Sequence, residues 1–268
     1  MNGIMNWIRR HLIAFAAIAV LAYLLVPNVV VAVFSFNDPA GRFNYSFNEF
    51  STEGWTNPCG TVGICESVGL SLRIGITASI VATILGTMIA FALGRYRFQG
   101  RSSTNLLIFM PMATPEVVMG SSLLTLFLMM GVPTGPTAIL IAHIMFCISF
   151  VVVAVKARVA TLDPRLEEAA ADLGATPFQT FLRVTLPLSA PGIAAGALLA
   201  FSLSFDDYII TNFNASPSSI TFPMYVWGAA ARGVPIQVYV IGTMMFLVAL
   251  TVVIAGQIIS NRRNRQVA

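Results

Sequence analysis

DPRLEEAAADLGATPFQTFLRVTLP, from Asp163 to Pro187, is the longest polar interruption between the hydrophobic runs of the chain's second half. Two short helices can be read from it. Asp163 is an N-cap residue, and Pro164 suits the first helical position, where a missing N–H costs nothing. Arg165 to Leu173 follow with strong helix formers, and Gly174 ends them in the left-handed conformation that glycine adopts cheaply. Thr176 and Pro177 repeat the start signal for a second helix carrying Phe178, Phe181, Leu182 and Val184, with Leu186 and Pro187 as its expected end. The expectation is a bent helical pair beside a membrane.

The flanks supply the membrane. With 57% of its 268 residues hydrophobic and only 10% charged, the chain does not have the composition of a soluble domain. A spanning helix needs about 20 mainly apolar residues. Six such runs lie near 12–34, 68–93, 104–130, 136–155, 189–213 and 236–260. The expected fold is therefore all-α and polytopic. An inner N-terminus puts Arg9, Arg10, Arg95, Arg97, Arg101, Lys156, Arg158, Arg165, Arg183, Arg262, Arg263 and Arg265 in the cytoplasm, leaving Arg42, Arg73 and Arg232 elsewhere. Both termini are expected inside. The net charge of +4 follows from this topology and argues little for nucleic acid. The first run is too long for the apolar core of a signal peptide and reads as a helix of the mature protein. On the outer side, Cys59 and Cys65 either pair or stay free thiols, while Cys147 lies in the fourth helix.

Glu168, Ala169 and Ala170, then Gly174, then Val184 and Leu186-Pro187, resemble the cytoplasmic signature of binding-protein-dependent ABC importer permeases. Val184 stands where that family usually has Ile. GRYRFQG (Gly94 to Gly100), TPEVVMGSSLLTLF (Thr114 to Phe127), HIMFCISFVVV (His143 to Val153) and Phe205-Asp206-Asp207-Tyr208 make the chain similar to the family's spermidine/putrescine branch. The resemblance runs from about Ser67 to Gly256 and is weakest in the outer loop, 35–66.

The resemblance implies one permease domain of the type I ABC importer fold over 1–268, with a core at 67–256 and a cytoplasmic coupling segment at 163–187. It also implies that Glu167, Glu168, Ala169, Ala170, Asp172, Leu173 and Gly174 meet a separate dimeric ATPase. Further implied partners are a second, homologous permease subunit and an extracytoplasmic binding protein that captures a polyamine. The implied setting is the bacterial plasma membrane. No Gly-rich loop with Lys-Ser/Thr is present to cradle nucleotide phosphates, so ATP and Mg are expected on the partner and no cofactor on this chain. Neither metal-ligand spacing nor a nucleophile–base constellation stands out.

Within the spans, Ser67, Ser71, Gly75, Ala78, Ala82, Gly86 and Ala90 form a small-residue row suited to close helix approach, and Gly192, Gly196 and Ala200 form another. His143 reads as a hydrogen-bonding partner of a neighbouring helix rather than a ligand or relay. Pro111 and Pro115 are expected to bend the third helix, with Glu116 beyond the midplane, where a carboxylate costs about 2.5–3.5 kcal/mol and so should face a cavity or partner. On a continuous fifth helix Asp207 returns to the side of Gly196, and Asp206 sits a quarter-turn away. Amines of lysine-like pKa are charged at neutral pH. Glu116, Asp206 and Asp207 would give such cargo anionic relay points, and Phe205 and Tyr208 cation–π faces. The competing readings are an ion- or proton-coupled secondary transporter or channel using the same groups, and an ABC permease for another small cation.

Overall fold

A chain segment in lipid must satisfy each backbone N–H and C=O within itself, and a helix does so. The computed structural model describes residues 2–267, with side chains at 11–256 and at Ile258. The side chains of Arg9, Arg10, Arg262, Arg263 and Arg265, which bear on orientation, lie outside the described residues. In chain order the elements are α1 (Asn2–Phe34), β1 (Asn37–Asp38), β2 (Glu49–Phe50), α2 (Glu53–Thr56), α3 (Ile64–Arg95), α4 (Arg101–Ala113) and α5 (Glu116–Met129). There follow α6 (Pro136–Ala160), α7 (Arg165–Asp172), α8 (Pro177–Thr180), a π-helical turn (Phe181–Thr185), α9 (Leu186–Asp206), α10 (Ile209–Asn214), α11 (Phe222–Arg232) and α12 (Ile236–Val267). Five apolar stretches are long enough to cross a membrane, and α4 with α5 makes a sixth only as one broken span.

The chain forms two compact units. The first comes from both ends, Met1–Cys65 and Val226–Ala268. In it α1 packs on α12, and the loop that follows α1 is fastened locally. Asn37 donates to Asn44 and to the Ser46 carbonyl, and accepts from the Asn48 N–H. Phe36 stacks on both Phe50 and Trp55. Tyr239 of α12 donates to the Asn44 carbonyl, and Thr61 donates to Gln237. Cys59 and Cys65 are joined by a disulfide, with Cα atoms 5.4 Å apart.

The second unit, Glu66–Tyr225, holds the rest. Its centre is α6, against which α9 and α4 pack. The small-residue row of α3 is buried along its whole length, from Ser67 to Ala90. Its purpose is visible at Gly86, where a Cβ would come within 2.7 Å of Val151 of α6. Gly192 of α9 is equally tight, because the Arg158 side chain lies where its Cβ would stand. Leu93, Phe127, Phe146, Val151, Val155 and Ile210 belong to the apolar core that these approaches create.

Three expectations are corrected. The third span does not simply bend: α4 stops at Ala113, Thr114 and Pro115 are extended, and α5 restarts 108° away. The cause is local, since the residue before proline is pushed out of the helical region and the proline offers no N–H. The fifth helix ends at Asp206, with Asp207 extended (φ −64°, ψ 126°), so the helical projection placing Asp207 beside Gly196 does not apply. Pro187, expected to end the second short helix, instead lies in the first turn of α9. The helix nevertheless runs on from Pro177 to Asp206 as one span, and the bond that Pro187 cannot donate falls directly after the π-helical turn, where the helical ladder is already irregular.

Candidate functional site

The segment from Asp163 to Pro187 is built from local signals. Asp163 Oδ1 accepts the Arg165 N–H at 3.0 Å and Pro164 already has helical angles, so α7 begins there. Glu167 and Glu168 in its first turn complement the positive end of the helix dipole. At the other end Gly174 has φ +81°, its N–H bonds the Ala171 carbonyl at 2.9 Å, and the Ala175 N–H bonds the Ala170 carbonyl at 3.0 Å. This is a Schellman stop, which satisfies carbonyls a helix end leaves open. Thr176 and Gln179 then form a reciprocal capping box that starts α8.

Of the seven sequence-predicted coupling residues, Glu168, Ala169, Asp172, Leu173 and Gly174 are exposed, and Ala170 is half-buried. Leu173 is 90% exposed, an apolar side chain standing free of its own subunit. Glu167 differs from its neighbour. It turns inward to Arg95 Nη2 at 2.9 Å and accepts from Thr185 Oγ1 at 3.0 Å.

A second constellation forms where α9 gives way to α10. His143 of α6 is 1% exposed. Its Nδ1 lies 2.7 Å from Ser204 Oγ, and its Nε2 lies 3.0 Å from Thr211 Oγ1 and 3.3 Å from Asp207 Oδ2. A ring protonated on Nε2 satisfies this set, donating toward Asp207 and Thr211 while Nδ1 accepts the serine proton. Asp207, its side chain only 5% exposed, also accepts the Thr211 N–H (2.7 Å), the Thr211 hydroxyl (2.8 Å) and the Ile210 N–H (3.3 Å). The carboxylate thus caps α10 and fastens the chain break to α6.

Asp206 points elsewhere. It is exposed, as is Glu116 at the start of α5, and the two are close enough to interact electrostatically. The packing of α10 on α5 holds this region, with Gly120 so near Phe213 that a Cβ would approach its ring to 2.7 Å. Phe205 is half-buried and stacks on Phe201, and Tyr208 is half-buried. The structure therefore leaves Glu116 and Asp206 exposed and turns the neighbouring Asp207 inward toward α6. Sequence reasoning missed Ser204, Thr211 and the partnership of Arg95 with Glu167. Ser204, Asp207 and Thr211 carried a signal, being three and then four residues apart within an apolar stretch. Among the described residues no three His, Cys, Asp or Glu side chains group as for a metal.

Comparison with known proteins accounts for this architecture. Residues 82–266 match the family described as binding-protein-dependent transport system inner membrane component. The chain is 35% identical to the spermidine/putrescine transport system permease protein PotC of Escherichia coli, over 92% of this chain and 93% of the relative. It is 36% identical to the putrescine transport system permease protein PotI of the same organism, over 83% and 81%. The crystal structure of a bacterial ABC transporter that imports the acidic polysaccharide alginate shares the fold, with TM-score 0.64 at 18% identity over 97% of this chain and 95% of that one. The chain belongs to the binding-protein-dependent transport system inner membrane components and is a permease subunit of the ABC importer type.

Proposed function

We propose that the chain is one of two permease subunits of an ATP-driven polyamine importer in a bacterial plasma membrane, with both termini cytoplasmic. The observation that carries the cargo assignment is the pair of exposed carboxylates, Glu116 and Asp206, within electrostatic range of one another on otherwise apolar segments. A carboxylate on an apolar membrane segment is costly unless something cationic or wet faces it. Spermidine and putrescine, the cargo in the relatives' names, carry more than one ammonium group, the charge that such carboxylates attract. Phe205 and Tyr208 beside Asp206 add aromatic surface for the same cations.

In this reading the exposed ridge of Glu168, Ala169, Asp172, Leu173 and Gly174 enters a groove on the ATPase dimer, which alone binds ATP and Mg. The second permease subunit completes the pathway against the Glu116–Asp206 side, and a binding protein delivers cargo from outside. Asp207 supports Asp206 from behind by fixing the end of α9. Uptake of labelled spermidine by cells carrying the complete system tests the reading. Unlabelled putrescine should compete, thiamine and inorganic anions should not, and ATP depletion should abolish uptake. Uptake that survives ATP depletion but collapses with a protonophore overturns it in favour of ion coupling.

A further inference from the structure

We propose that Glu167 is an internal latch that passes movement of α7 into two membrane helices at once, a positioning role distinct from the ATPase-facing ridge. The inference rests on the reading that α7 meets the ATPase. One carboxylate oxygen, Glu167 Oε1, accepts from both Arg95 and Thr185. Arg95 is the last residue of α3, and Thr185 is the last residue of the π-helical turn that continues into α9. A single atom of α7 is thereby tied to the inner ends of two long helices. Around it, Phe91 of α3 meets Phe181 of the π-helical turn edge-on at 5.2 Å, and Leu162, Leu166, Val184 and Leu188 line the same junction.

The two adjacent glutamates divide the work. Glu168 is exposed and available to a partner, whereas the Glu167 side chain is 34% exposed and that of Arg95 20%. Among the described residues this is the one pair between an arginine and a carboxylate. Thr185 is buried and held in a π-helical turn, a geometry that recurs at functional positions in helices. A displacement of α7 with the latch closed carries α3 and α9 with it. With the latch open, α7 moves on its own and nucleotide turnover is disconnected from the pathway.

The test uses the complete transporter in proteoliposomes, with spermidine moved per ATP hydrolysed as its readout. Glu167→Gln and Arg95→Gln should each lower that ratio several-fold while ATPase co-purification stays normal, and the double variant should be no worse than either single one. Thr185→Val, nearly isosteric, should lower it by less. The exchange of Arg95→Glu with Glu167→Arg should restore at least half. Glu168→Lys, by contrast, should release the ATPase. A cargo-independent measurement accompanies these: spin labels at Tyr96 and Arg165 should report one distance with and without ATP, broadened by Glu167→Gln. An unchanged ratio, an unbroadened distance or loss of the ATPase in Glu167→Gln overturns the latch. If Glu168→Lys and Leu173→Asp both leave the ATPase bound, the docking reading of α7 fails and takes the latch with it. If the unaltered complex moves no spermidine, only the cargo assignment fails, and the spin-label distance decides the latch.

Discussion

Replacing His143 asks which of two effects holds the α9–α10 break: the packing of a buried ring or the pairing of a buried charge. The ring is 1% exposed, so His143→Ala opens a cavity of the kind that costs about 2–5 kcal/mol. The polar losses are smaller. Side-chain hydrogen bonds between membrane helices average about 0.6 kcal/mol and reach about 1.7. His143 makes such contacts to Ser204, Thr211 and Asp207. An orphaned buried charge would add about 3–5 kcal/mol, but Asp207 is not orphaned by this change. It keeps the Thr211 N–H, the Thr211 hydroxyl and the Ile210 N–H. Packing should therefore dominate. His143→Leu, which roughly restores the volume, is expected to cost about 1–3 kcal/mol, and His143→Ala about 3–5. Thermal unfolding of the purified complex in one detergent should rank wild type above Leu above Ala. If Leu is as damaging as Ala or worse, the imidazole is needed as a partner for the Asp207 charge, and the packing argument is wrong.

Gly174 has φ +81° and open space where a Cβ would point, so substitutions act through the backbone, at about 1–2 kcal/mol for an L residue held there. Gly174→Val should weaken ATPase co-purification while Gly174→Asn largely keeps it; equal damage would instead mean crowding inside the partner's groove. Gly86→Val should destabilise by about 1–3 kcal/mol through overlap with Val151, and Val151→Ala should recover part of that in a double-mutant cycle of unfolding midpoints. Glu116→Gln and Asp206→Asn should each raise the KM for spermidine uptake about fivefold, the loss of roughly 1 kcal/mol of charge pairing, with complex assembly intact on a native gel. In purified protein, Cys59 and Cys65 should take up a maleimide only after reduction, whereas equal labelling without reductant would count against the bond.

Much of the fold was legible because its determinants are local. The apolar runs predict the long helices, Asp163-Pro164 starts α7, the left-handed Gly174 stops it, and the Thr176–Gln179 box starts α8, each decided within a few residues. The small-residue row of α3 was readable for the same reason, since helical periodicity alone puts Ser67 to Ala90 on one face. The breaks were read less well. A proline warns of a kink, but the 108° turn before Glu116 and the end of α9 at Asp206 depend on how the freed backbone is then received.

The sequence by itself determined a helical membrane protein and the pair of short helices after Asp163, through propensities, caps and hydrophobic run lengths that act between near neighbours. Only the tertiary structure decided which of two adjacent carboxylates turns inward, at Glu167 and Glu168 and again at Asp206 and Asp207. The partners that choose come from other helices: Arg95 for Glu167, and His143 of α6, 61 and 68 residues from Ser204 and Thr211, for the group around Asp207. Identical side chains one position apart differ little in local preference, so the choice falls to the pairing that long-range packing makes available.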